Sequence, residues 1–129
     1  MLKIRKEQND ELAKVAVKRF EDRVLVHLKK FWPDECKELT EQGVHKSIRT
    51  GIDNAGKYGI KTEYDVARYI DLMYTLCFDF DTNSQAPWAS RILNDANMDA
   101  REKMDKLYEC TERELQMLAD QQVKQVRRS

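Results

Sequence analysis

The sequence has no net charge, no long apolar run and few of the residue groupings that catalysis or metal binding requires. Its 23 basic and 23 acidic residues balance, so no global field exists to hold a nucleic-acid backbone or an anionic membrane. Nowhere do about 18 apolar residues follow one another, the signature of a membrane-spanning helix. Met1-Leu-Lys-Ile-Arg-Lys6 leads into charged sequence without the apolar stretch of a secretory leader, so a cytoplasmic location is expected. The three cysteines, Cys36, Cys77 and Cys110, form no CxxC pair and read as reduced, partly buried thiols. There is no glycine-rich phosphate loop, no HExxH and no pair of carboxylates at a telling spacing. Strand alternation, internal repeats and low-complexity linkers are missing too.

What the chain does have is helical periodicity. Its 129 residues suit one domain, expected over 1–123 with a flexible C-terminal tail at 124–129. A domain of this size buries roughly two-thirds of its unfolded surface and needs neither metal nor disulfide to fold. Val66 to Phe80 is apolar at eleven of fifteen positions in an otherwise charge-rich sequence, which predicts a helix buried from several sides. Upstream, Ala13, Val17, Phe20, Val24, His27 and Phe31 recur at alternating steps of four and three, flanked by Ala16 and Leu28. That is the stripe of an amphipathic helix over about 6–32. Pro33 ends it and suits the first turn of a short helix over 34–39. Thr40 caps a third, with Val44, Ile48, Ile52 and Ala55 on one face, Gly51 and Gly56 weakening it and Gly59 as its left-handed stop.

Thr62-Glu-Tyr-Asp65 has the spacing of a capping box, with Asp65 in place of the usual Glu, and opens the central helix, expected from Glu63 to about Phe78. Polar turn residues follow at 81–86, and Pro87 restarts a short helix carrying Trp88, Ile92 and Leu93. A last helix from about Met98 to Gln122 sets Met104, Tyr108, Thr111, Leu115 and Leu118 on one face, with Glu102 and Lys106 as an i,i+4 pair. The expected fold is all-α, an irregular helical bundle of four substantial and two short helices.

Few residues are candidates for chemistry. His27 lies within an apolar stripe, where burial would perturb its titration, but it reads as a packed histidine whose ring nitrogens find a carboxylate or carbonyl. His45 flanks its stripe and reads as solvated; neither histidine shares a motif with Cys or Ser that would make a triad. Asp79-Phe-Asp81-Thr-Asn83 matches the opening of a calcium loop, but Ser84 stands where the tight turn needs Gly and Ser90 where a bidentate Glu is required. The loop reads as structural, with Phe78 and Phe80 locking it to the core, and no metal or cofactor is expected. Trp32, Tyr58, Tyr64, Phe80 and Trp88 lie at or near helix ends, where aromatics staple loops; the sharper alternative is an exposed patch with Arg91, since Trp, Tyr and Arg dominate protein-binding hot spots. Phe80, Asp81, Trp88 and Arg91 are accordingly the candidate partner-binding residues. Lys124, Arg127 and Arg128 read as a solvated tail.

Ile4-Arg-Lys-Glu-Gln8, Tyr58-Gly-Ile60, Asp65-Val66, Tyr69-Ile-Asp-Leu-Met73, Asp79-Phe-Asp81, Pro87-Trp-Ala89 and Ile92-Leu93 resemble a family of small bacterial helical proteins encoded beside type VI secretion spike and effector genes. The resemblance runs from about residue 4 to 110. It implies a non-enzymatic protein whose partner is another protein: an accessory, chaperone-like adaptor for a secreted effector or its spike, or an immunity protein that blocks a toxin in the cytoplasm. A homodimer is a further possibility, and the rival class is a small enzyme or metal-binding regulator using Asp79 and Asp81. No catalytic residues follow from the resemblance.

Overall fold

Proline, glycine and threonine set the helix boundaries as their backbone chemistry requires. The computed structural model describes residues 6–128, with side chains over 16–124. It is all-α: α1 (Lys6–Phe31), α2 (Pro33–Lys57), α3 (Glu63–Thr75), α4 (Pro87–Leu93) and α5 (Ala100–Arg128), with no strand among the described residues. None of these helices is long and apolar enough to cross a membrane. The helices gather into two compact units, Met1–Asn54 and Ala55–Ser129, with the boundary inside α2.

In the first unit, α1 buries Phe20, Val24 and Leu28, and α2 buries Cys36, Val44 and Ile48. Glu21 accepts from His45 Nδ1 at 2.8 Å and pairs with Arg49 Nε at 3.2 Å, while Lys29 pairs with Glu41 at 3.2 Å. As residue numbers rise on α1 their partners fall on α2, so the two helices run antiparallel. The buried row is spaced by fours rather than by alternating fours and threes. Val17 and Phe31 are exposed, and His27 is half-buried with its ring 4.7 Å from that of Phe31. The side chain of Ala13 lies outside the described residues. His45, expected to be solvated, is half-buried because Glu21, itself buried, draws it in.

The short helix expected at 34–39 runs on into its successor as α2, interrupted at Thr40, whose φ of 66° and ψ of 167° are non-helical. Thr40 Oγ1 accepts from Gly43 N at 3.5 Å, which is the capping role its side chain suits. The helix ends in a Schellman motif: Ile60 N donates to Ala55 O and Gly59 N to Gly56 O, with Gly59 at φ 79°.

In the second unit, Thr62 Oγ1 accepts from Asp65 N and donates to the Asp65 carboxylate, opening α3. This helix buries seven of its residues: Asp65, Val66, Tyr69, Ile70, Leu72, Met73 and Tyr74. It stops at Thr75 rather than near Phe78, where the chain turns through Phe80 N to Cys77 O and Thr82 N to Asp79 O. α5 packs on both α3 and α4, beginning at an Asp99 side chain that caps Glu102 N at 2.9 Å. The α3–α5 contact is fastened by Arg68, which lies over the rings of Tyr64 and Tyr108 and pairs with Asp65 and Asp105. Arg101 Nε sits 3.1 Å from the same Asp65 carboxylate. Lys106 pairs with Glu109 rather than with the expected Glu102. The helix continues to Arg128, through most of the expected tail; the side chains of Arg127 and Arg128, and Ser129, lie outside the described residues.

Candidate functional site

The loop between α3 and α4 is anchored from beneath. Phe80 is fully buried with its ring 4.9 Å from that of Tyr69, and Asp81, also buried, accepts from Tyr58 Oη at 2.8 Å. Lys103 Nζ donates to Tyr58 O at 3.2 Å, tying the α2–α3 turn to α5. Burial and the neighbouring Asp81 push the Tyr58 phenol up to about 12. Tyr69 is pushed up as well, by its own burial and then by the Asp81 charge.

Above this anchor the loop turns polar. Asp79 accepts from Asn83 at 3.3 Å, which together with the Cys77 thiol holds its carboxyl below the usual range. Asn83 also reaches Cys77 Sγ at 3.6 Å, while burial and Asp79 raise the Cys77 thiol and keep it protonated. The two carboxylates of the calcium-like stretch therefore have separate partners, Asp81 inward to Tyr58 and Asp79 to the loop. Among the described residues no three His, Cys, Asp or Glu side chains are grouped as metal ligands would be.

Between this loop and α5 lies an open groove of about 270 Å³, lined chiefly by Leu76, Cys77, Ala86, Trp88, Leu115 and Leu118. The apolar stripe of α5 explains it. Met104 and Leu107 are fully buried and Thr111 is 4% exposed, whereas Leu115 and Leu118, on the same face, are 49% and 54% exposed. The stripe outruns the unit it packs on.

Of the four candidate residues, Phe80 and Asp81 belong to the core, Trp88 is half-buried in the groove wall, and Arg91 is exposed in the last turn of α4. They do not form one exposed patch. Leu115 and Leu118 read from their spacing as core, since periodicity marks a face without saying how far its cover extends. The structure brings them to Trp88. In comparisons with known proteins, no family model, no curated protein and no solved structure matches the chain.

Proposed function

We propose that this chain is a non-enzymatic protein-interaction module, an irregular helical bundle whose groove beside Trp88 receives a side chain or helix of another protein. The observation that carries this is the apolar stripe of α5, buried as far as Thr111 and then open at Leu115 and Leu118 beside a half-buried tryptophan. Large apolar side chains left exposed together and walled by polar residues mark interaction surfaces, and a tryptophan there is a typical anchor. Neither histidine lines the groove, and its one cysteine is held as a thiol, which disfavours nucleophilic chemistry in it.

The family resemblance supports a narrower reading, an adaptor that holds a type VI secretion effector or spike protein in the cytoplasm. An immunity protein would use the same surface against a toxin. The test is co-purification with the product of the neighbouring gene, alongside unfolding of the isolated variant. Trp88→Ala should weaken that complex by about 2 kcal/mol or more, the hot-spot threshold, and leave a cooperative fold. A variant that loses about 3–5 kcal/mol of stability, as truncation of a core tryptophan does, with binding unchanged, would make Trp88 architecture and defeat the proposal.

A further inference from the structure

Resting on the reading of the groove as a docking surface, the charges around it narrow what docks. At about 100° per residue, Thr111, Leu115 and Leu118 share one side of α5, with Glu112 on one flank and Glu114, which also lines the groove, on the other. Arg113 and Lys124 fall on the opposite side, and Arg113 is already paired with Glu109. Glu112 and Glu114 are exposed and have neither an ion pair nor a side-chain hydrogen bond among the described residues. The apolar stripe is therefore bordered on both sides by uncompensated carboxylates, the arrangement that selects a partner helix by charge at the edges of an apolar seam.

We infer that the groove and the open face of α5 bind an amphipathic helix of another protein, with large apolar residues at i and i+3 or i+4 and Lys or Arg on both flanks of that stripe. A second copy of this chain fits worse. Laid parallel, its α5 would oppose glutamate to glutamate; laid antiparallel, it would offer Ala119 and Gln121 to the two carboxylates. Neither arrangement sets a described basic side chain of α5 opposite Glu112 or Glu114.

Two labelled peptides of about five helical turns, identical in their Leu stripe but flanked by Lys in one and Glu in the other, test this by fluorescence anisotropy against the full chain. The Lys-flanked peptide should bind about tenfold tighter, as expected of two exposed charge pairs exchanged for two repulsions. The preference should shrink in about 0.5 M salt, where screening is strong. Glu112→Lys with Glu114→Lys should invert it, and Leu115→Ala with Leu118→Ala should remove binding of either peptide. Met117→Ala, on the back of the helix, should change nothing, and circular dichroism of each variant checks that the helix persists. Equal affinity for both peptides, lost on changing Leu115 and Leu118, would overturn the charge inference and leave the groove as a docking surface. Failure of both peptides to bind, or sedimentation as a dimer that Leu115→Ala dissociates, would overturn the inference together with the reading it rests on.

Discussion

At the scale of single residues, the pairing of Tyr58 with Asp81 makes a definite claim about pH. The folded pKa of Tyr58, about 12, lies above its ordinary value of 10.0, so its stabilising contribution is complete below pH 10 and is lost as pH climbs towards 12. Tyr58→Phe should cost about 1–3 kcal/mol near neutrality, because buried Asp81 loses its donor. The variant's urea midpoint should also fall less steeply between pH 10 and 12 than that of the unaltered chain. Asp65, 2% exposed beneath Arg68 and Arg101, should be costlier. Asp65→Ala should lose about 3 kcal/mol, the low end for breaking a buried pair because Arg101 is half open to water; urea unfolding measures it. The capping role of Asp65 was legible, since Thr62-Glu-Tyr-Asp is a local pattern. Its two arginines were not, because Arg101 stands 36 positions away and only the packing of α3 on α5 brings it near.

At the scale of helices, Thr40 is a β-branched residue with φ at 66°, a backbone region costing of order 1–3 kcal/mol outside glycine. Its hydroxyl cap, at 3.5 Å, is replaceable by glycine for only a few tenths of a kcal/mol. Relief outweighs loss, so Thr40→Gly should raise unfolding stability by about 1 kcal/mol, read from a denaturant midpoint at unchanged slope. Along α5 the same chemistry should have opposite costs. Leu107→Ala, fully buried, should lose about 2–5 kcal/mol, while Leu115→Ala with Leu118→Ala should stay within about 0.5 kcal/mol. Local signals located the proline starts, the Gly59 stop and the break at Thr40. The start of α5 was also written in Asp99-Ala-Arg-Glu102, a capping pattern that sets the first helical residue at Ala100 rather than at the expected Met98.

At the scale of the whole chain, Cys36, Cys77 and Cys110 are free thiols, and burial raises the first two. Unfolding midpoints should be the same with and without reductant, and at pH 8 Cys36 and Cys77 should alkylate more slowly than an unstructured cysteine. A structural disulfide would show itself as lost stability on reduction. The half-anchored state of α5 has one more consequence. Beyond Thr111 the described side chains are all exposed, with only Glu114, Leu115 and Leu118 reaching the groove wall, so this stretch should unwind locally more often than the turns packed on α3 and α4. Among the described residues of α5, limited trypsin should cut the free protein at Lys124 before Lys103 or Lys106, and amides beyond Thr111 should exchange before those of the turns packed on α3 and α4. A bound helix would slow both, which makes the end of α5 a reporter of occupancy and gives capture an entropic cost that a rigid groove would not carry.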